Sequence, residues 1–462
     1  MAHPRQLICI RCNAARPLTD YARGCPVCAG AGVAANLTVA YDVTVPCPRP
    51  SSPATNASMW RFDAWLPVDA AEAITLGEGG TPLLPVPKLG LGRLLIKDES
   101  RNPTWSFKDR LASASVSMAV KLGAQVIASS SSGNAGAATA AYAAKAGLPC
   151  VVVTYEGAAG PMVTQMRAYG AMLMTVPTSA DRWRVLSAAV DRFGWYPTSV
   201  YYGPAAGSNP YGIEGYKTIA YEIAEALDWR APDWCVLPVC YGDALYGIWK
   251  GFAEMRRFGW IDRVPRFAAA EISGSLEAAM AAGIDQPPVR ERLTPTIAGS
   301  IGASQGTYQS IHALRASNGA AMRVEDEAML AWQEQLGRSE GIWAEPSAAA
   351  SLPAIERWRK QGVIERDATV VALMTAGGLK DPETATRRLA KLPGAKGTPR
   401  RCGARIEGGL WVRRRNIAAA ARSVSPSTGA PALLRRFCRR RSRRPPARQP
   451  FGWRATCSCA IR

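Results

Sequence analysis

Ile96-Lys97-Asp98-Glu99-Ser100-Arg101-Asn102-Pro103-Thr104-Trp105-Ser106-Phe107-Lys108-Asp109-Arg110 is the stretch that decides the fold. A strand-like run, Arg93 to Lys97, leads into a polar turn, and Lys108 follows Ser-Phe at what reads as the start of a helix. The N-terminus of a helix carries partial positive charge, which disfavours a protonated amine. A lysine that is less protonated than usual can attack an aldehyde and hold it covalently. A surface lysine at a helix start is far commoner, so the remainder of the chain has to carry the functional reading.

Outward from this segment, strand-like and helical stretches alternate. Val126-Ile127-Ala128 and Cys150-Val151-Val152-Val153 read as short buried strands, with the alanine-rich, helical Asn134 to Gly147 between them. Further strands are expected over Trp234 to Val239, Phe267 to Glu271 and Thr369 to Met374. Such alternation implies βαβ units, mainly parallel sheets and an α/β fold. The expected organisation is a small cysteine-bearing unit over 1–45, a Pro- and Ser-rich linker over 46–59, a catalytic domain over 60–394 and a basic tail over 395–462.

The charge of +20 is concentrated at one end. Residues 395–462 carry 18 Lys/Arg against the single acid Glu407, a balance of +17 that leaves +3 for residues 1–394. No general nucleic-acid role follows from the overall charge. Arg413-Arg414-Arg415, Arg435-Arg436 and Arg439-Arg440-Arg441 alternate with Pro, Ser, Gly and Ala without apolar periodicity, so this tail is expected to be disordered. It reads as a solvated extension, with a nucleic-acid-binding arm as the alternative. No apolar run approaches the roughly 18 residues that span a membrane. Met1 to Cys12 lacks the apolar stretch of a signal peptide, and a cytoplasmic protein without membrane partners is expected. The two histidines, His3 and His312, lie outside any nucleophile-elbow context, which argues against a Ser-His-Asp hydrolase.

Cys9-x2-Cys12 and Cys25-x2-Cys28 stand twelve residues apart. Each pair can offer two thiolates from one turn, and two such turns make a tetrahedral four-sulfur zinc site. Four protein ligands close the coordination sphere, so the zinc is expected to be structural. Redox-active or simply buried pairs are the alternative. Cys47, Cys150, Cys235 and Cys240 lack ligand spacing and read mostly as core thiols.

Four further stretches carry chemistry. Leu76-Gly77-Glu78-Gly79-Gly80-Thr81-Pro82-Leu83 is a turn near the start of the large domain. Ser129-Ser130-Ser131-Ser132-Gly133-Asn134-Ala135-Gly136 leads from a strand into a helix, where exposed amides and hydroxyls suit a carboxylate. Pro238-Val239-Cys240-Tyr241-Gly242-Asp243-Ala244-Leu245-Tyr246-Gly247 also joins a strand to a helix and can cradle a phosphate with backbone amides. Met374-Thr375-Ala376-Gly377-Gly378-Leu379-Lys380-Asp381-Pro382 follows the last expected strand.

Together with the Lys108 segment, and in the same order, these stretches resemble the threonine synthase family over roughly residues 75–385. Some members of that family also carry an N-terminal zinc ribbon. The resemblance implies a fold-type-II pyridoxal 5′-phosphate (PLP) enzyme with two α/β lobes and the cofactor in the cleft between them. It implies that Lys108 holds the cofactor and moves the α-proton, that Asn134 bonds the cofactor's 3′-oxygen, and that Ser131 and Ser132 grip the substrate carboxylate. Tyr241, Gly242, Asp243, Ala244 and Leu245 would bind the cofactor phosphate, and Thr375 would face the pyridine nitrogen. The implied reaction is β/γ-position chemistry on a small amino acid, namely O-phosphohomoserine to threonine and phosphate, in a homodimer.

Three departures stand out. Cys240 and Ala244 replace glycines of the phosphate loop, and Asp243 brings a carboxylate near a dianion. In Gly207-Ser208-Asn209-Pro210-Tyr211-Gly212-Ile213-Glu214-Gly215-Tyr216-Lys217-Thr218 the family usually has arginine where this chain has Gly212. Loss of a bidentate phosphate partner is not made good by glycine. Ser208, Asn209 and Lys217 remain as polar candidates for substrate contact. An amino-acid ammonia-lyase acting on serine, threonine or diaminopropionate needs no such arginine. A non-catalytic homologue that uses the ribbon and tail for binding is the third possibility.

Overall fold

A computed structural model describes residues 4–43, 47–50, 58–158, 160–178, 180–291 and 295–389. The basic segment 395–462 and most of the linker expected over 46–59 lie outside the described residues. Among the described residues no helix is long and apolar enough to cross a membrane.

The cysteine-bearing unit comes first. Strands β1 (Pro4–Cys9), β2 (Ala15–Arg16) and β3 (Leu37–Tyr41) form an antiparallel sheet in the order β2-β1-β3, joined by the short helix α1 (Pro26–Gly30). Pro26 opens α1, where a missing N–H leaves no helix bond unmade.

Alternation then sets in. The first half holds β4 (Leu83–Pro85), β5 (Leu94–Asp98), α2 (Lys108–Lys121), β6 (Ile127–Ser130), α3 (Asn134–Ala146), β7 (Cys150–Tyr155), α4 (Pro161–Ala168), β8 (Met172–Val176), α5 (Asp181–Phe193) and β9 (Tyr196–Pro197). The second half holds α6 (Pro210–Ala226), β10 (Trp234–Pro238), α7 (Asp243–Phe258), β11 (Arg266–Glu271), α8 (Ser275–Ala282), α9 (Tyr308–Ala316), β12 (Ala320–Arg323), α10 (Asp326–Glu340), α11 (Ser351–Lys360), β13 (Val370–Met374) and α12 (Pro382–Arg388).

Two sheets result, one per lobe. The smaller, β8-β7-β6-β9, is wholly parallel. The larger, β12-β11-β10-β13-β5-β4, is parallel except for β4, which runs against β5. The central strands are buried along their length, as sheets covered by helices on both faces require. Helix α6 is buried from Pro210 through Ala224, so it is a core helix rather than an amphipathic surface one. It lies against α2 and α7 through glycines: a Cβ on Gly215 would stand 2.1 Å from the Arg110 carbonyl oxygen, and one on Gly251 2.7 Å from that of Lys217.

This topology gathers the site. Lys108 follows β5, Asn134 follows β6, Gly242 follows β10 and Thr375 follows β13. All four leave the carboxyl end of a parallel strand, where open α/β sheets bind ligands.

Candidate active site

Lys108 is the first residue of α2. The Phe107 amide donates to the Thr375 carbonyl at 2.9 Å, and Ser106 pairs with Ala376 in an isolated bridge. The adjacent strands β5 and β13 thus set Lys108 beside Thr375. The lysine is half-buried, with Nζ 4.6 Å from the Phe107 ring centroid and 5.7 Å from that of Tyr216. Among the described residues its ammonium has no hydrogen-bond or ion-pair partner. Desolvation lowers its pKa, and the charges of Asp243 and Cys240 oppose this only in part. More of the free amine is therefore present near neutrality than on a surface lysine.

Gly242 makes the second wall. It is the N-cap of α7 at φ +75, a left-handed conformation, and a Cβ there would lie 1.8 Å from Ser310 Oγ. No side chain caps α7, so the amides of its first turn, Asp243, Ala244 and Leu245, stay open to an anion. The side chains of the two unusual residues do not cap the amides of this cradle. Ala244 and Leu245 bury their side chains in the core beneath the loop, and Cys240 packs against the apolar cluster on the other face of the sheet. The Asp243 carboxylate is already engaged: it accepts from Ser208 N at 2.9 Å, Ser208 Oγ at 2.7 Å and Gln309 Nε2 at 2.6 Å. The Tyr241 carbonyl accepts from Thr307 Oγ1 at 2.6 Å and Gln309 Nε2 at 2.9 Å.

On the opposite lobe, Asn134 begins α3, which also lacks a capping side chain. Ser131 Oγ accepts from Gly133 N at 3.1 Å, and Ser132 is half-buried beside it. Asn134 Nδ2 donates to Glu345 Oε2 at 2.7 Å and to Ser300 Oγ at 3.3 Å, while its Oδ1 is buried without a partner. The hydroxyl of Thr375 likewise has no partner among the described residues. An unpartnered lysine, an unpartnered hydroxyl and an uncapped helix N-terminus together fit a PLP molecule.

Sequence reasoning missed three cleft residues. Glu345, whose amide donates to the Ala376 carbonyl at 3.0 Å, also accepts from Ser300 Oγ. Burial raises its pKa against the opposing hydrogen bonds of Ser300 and Asn134. Lys380 donates to Gln165 Oε1 at 2.6 Å, and burial lowers its pKa to about 8. Lys380 stood in view within the Thr375 motif. Glu345 and Ser300 come from segments far apart in sequence and carried no motif of their own.

Three expected substrate contacts are engaged elsewhere. Lys217 is completely buried, its ammonium bonded to the Trp65 carbonyl at 2.7 Å, Glu214 Oε2 at 2.6 Å and Glu254 Oε2 at 3.1 Å, and lying 4.4 Å from the Tyr41 ring of the cysteine-bearing unit. It ties core helices to that unit. Asn209 caps α6 through Tyr211 N at 3.0 Å, and its Nδ2 donates to the Pro197 carbonyl at 3.0 Å. Ser208 restrains Asp243. Gly212 proves to be a packing position: a Cβ there would stand 2.8 Å from Leu111 Cγ and 3.0 Å from the Leu111 carbonyl oxygen. Leu111 occupies the space through which an arginine stem would leave α6.

The four N-terminal cysteines do converge. Their sulfurs all lie within 4.8 Å of one another, with Cys9 to Cys28 at 3.6 Å and Cys12 to Cys25 at 3.7 Å. Tetrahedral zinc with sulfur at about 2.3 Å has sulfur–sulfur edges of about 3.8 Å. Amides of Arg11 and Cys12 point at Cys9 Sγ, at 3.4 and 3.5 Å, and would stabilise a thiolate. The donor set fits a closed metal site.

This fold and cleft define a class, and comparison with known proteins agrees with it. A family profile described as pyridoxal-phosphate dependent enzyme matches residues 74–376, and the chain belongs to that family. Within it the chain is threonine synthase-like. It is 36% identical over 387 residues to a threonine synthase of Methanosarcina acetivorans, covering 82% of this chain and 93% of the relative. It is 35% identical over 340 residues to that of Methanocaldococcus jannaschii, covering 71% of this chain and 82% of the relative. Among solved structures, an O-ureido-L-serine synthase superposes with TM-score 0.56 at 21% identity, covering 70% of this chain and 96% of its own. Maize serine racemase does so with TM-score 0.56 at 21% identity, covering 66% and 90%. These structures share the fold-type-II architecture.

Proposed function

We propose that the chain binds PLP on Lys108 and converts O-phosphohomoserine to threonine and phosphate. The observation that carries the reading is the half-buried, unpartnered Lys108 amine near an uncapped helix N-terminus and the unpartnered Thr375 hydroxyl. Kinship with threonine synthases supports the substrate. Bound PLP supplies an electron sink for the charge left when the α-proton departs. The amides of Asp243, Ala244 and Leu245 would hold its phosphate. The Asn134 N–H that reaches Ser300 at 3.3 Å would serve the 3′-oxygen while Glu345 keeps the amide in orientation. Thr375 would offer the ring nitrogen a neutral hydroxyl, which does not protonate it. The amine of Lys108, kept more in its basic form by its lowered pKa, would take the α-proton and then a Cβ proton as phosphate leaves Cγ, and would return protons to Cγ and Cα while water supplies the hydroxyl at Cβ. Ser131, Ser132 and the open N-terminus of α3 receive the substrate carboxylate.

A second reading has its own support. With Leu111 packed against Gly212, the cation that the family uses for the substrate phosphate has no room at that position. An ammonia-lyase acting on serine, threonine or diaminopropionate needs none. A substrate panel separates the two. Release of threonine and phosphate from O-phosphohomoserine is the expected result, and ammonia and keto-acid from the small amino acids without phosphate release would transfer the assignment to the lyase.

The same proposal includes a structural zinc on Cys9, Cys12, Cys25 and Cys28, a homodimer, a cytoplasmic location and a dispensable segment 395–462. Elemental analysis should find about one zinc per chain, and Cys12→Ser with Cys25→Ser should remove it. A protein purified without metal that melts at the same temperature after zinc addition would count against the site.

A further inference from the structure

Among the described residues, the Asn36 side chain links the cysteine-bearing ribbon by hydrogen bonds to the two residues that hold Asp243 in the phosphate loop. The backbone of Ala35 and Asn36 is pinned to both cysteine turns, with Cys25 N donating to the Ala35 carbonyl at 2.9 Å and Ile10 N to the Asn36 carbonyl at 3.2 Å. The Asn36 side chain is buried, and its Oδ1 accepts from Leu37 N at 2.8 Å, which fixes the amide. Its Nδ2 then donates to the Ser208 carbonyl at 3.0 Å and to Gln309 Oε1 at 3.2 Å. Ser208 and Gln309 are the two residues that hold the Asp243 carboxylate, and Gln309 also donates to the Tyr241 carbonyl.

The order of donors and acceptors gives this chain of contacts a direction. Gln309 can present either its oxygen or its nitrogen to Asp243. The Asn36 N–H claims the oxygen, so the nitrogen must face the two acceptors of the loop, Asp243 and the Tyr241 carbonyl. The contact is also built without slack. A Cβ on Gly207 would stand 2.4 Å from Asn36 Nδ2, and one on Gly24 would stand 2.7 Å from the Ala35 carbonyl oxygen and 3.1 Å from Ala206 Cβ.

We infer that Asn36 and Gln309 are positioning residues through which the ribbon, shaped by its metal, holds Asp243 clear of the cofactor-phosphate cradle, so that metal in the ribbon and PLP in the cleft bind with positive coupling. This rests on the PLP reading above. Without the Asn36 donor, Gln309 and the Ser208 backbone lose the contact that braces them against Asp243, and the carboxylate is held less firmly away from a phosphate dianion.

The test is the PLP dissociation constant of the full chain, titrated by absorbance, with and without metal removal by a chelator. Couplings of this kind are typically about 5- to 150-fold. Metal-loaded Asn36→Ala should bind PLP about tenfold more weakly than wild type. Chelation should weaken wild type about tenfold but Asn36→Ala by no more than about twofold, because the link is already cut. Asn36→Asp keeps the acceptor for Leu37 N but turns the donor into an acceptor that faces the Ser208 carbonyl and Gln309 Oε1, so it serves if the alanine variant fails to fold, and it should weaken PLP at least as much. Melting of each variant without PLP separates a positioning effect from general unfolding. Equal PLP affinity in wild type and both variants, or equal losses on chelation in wild type and Asn36→Ala, overturns the inference alone. A wild type that never binds PLP overturns the cofactor reading and the inference with it.

Discussion

Lys108→Ala protein should fold, bind PLP weakly and without a covalent link, and lose turnover by at least about a thousandfold, the upper part of the range for a positioned acid–base group. Borohydride reduction of wild type should fix the cofactor's mass on the peptide that contains Lys108, and the same treatment of the variant should fix none. The structural reason is specific to this amine. It sits at a helix start beside the rings of Phe107 and Tyr216, with no carboxylate bonded to it. Desolvation lowers its pKa, so the free amine, and with it the covalent link, should persist to lower pH than for an ordinary lysine. A variant that kept a borohydride-fixable cofactor would move the assignment to another lysine, and Lys380, held at about 8 by burial, would be the first to examine.

Much of this was legible in the sequence, and the limits have physical causes. The strands expected from apolar runs at Ile127, Cys150, Trp234, Phe267 and Val370 are all present, because central parallel strands are buried on both faces and read as continuous apolar runs. Strands β8 and β12 lie at sheet edges, β8 largely exposed and β12 mostly half-buried, and β9 has two residues, so none carries that pattern. That Lys108, Asn134, Gly242 and Thr375 leave the carboxyl ends of strands was readable because each lies in a local motif after an apolar run. Lys217 was misplaced for the converse reason: which face of a helix buried over nearly its whole length a lysine leaves depends on partners such as Glu254 and Tyr41, which no local pattern reveals. Gly212 registered as a missing arginine, while its packing role against Leu111 needed two helices in register.

The largest stability effect should come from Arg110, two residues after the cofactor lysine and completely buried. Its guanidinium donates to Glu99 at 2.7 and 2.8 Å, to Glu222 at 2.7 and 2.8 Å, and to Thr218 Oγ1 at 2.8 Å. Lys97 joins through Glu222 Oε2 at 2.6 Å. Burial works against these charges, yet Arg110 and Lys97 outweigh it at Glu222 and hold that carboxyl well below its ordinary value. The network joins β5, α2 and α6, the three elements that set Lys108 in place. Arg110→Met keeps much of the volume but leaves the buried Glu99 carboxylate without a cation and Glu222 with Lys97 alone, and removal of one member of a buried pair costs about 3–5 kcal/mol. Arg184→Ala, which breaks an exposed pair with Asp181, should cost no more than about 1 kcal/mol. Denaturant unfolding of both variants measures the contrast. The pH dependence has a definite sign. A carboxyl with a depressed folded-state pKa stabilises above its unfolded value of 4.5, and this contribution is lost as pH falls below it. Arg110→Met removes the main cause of that depression, so its unfolding free energy should fall less steeply with acid than that of wild type. A loss below about 1 kcal/mol at neutral pH, with an unchanged acid limb, would mean that the network contributes no more than a surface pair.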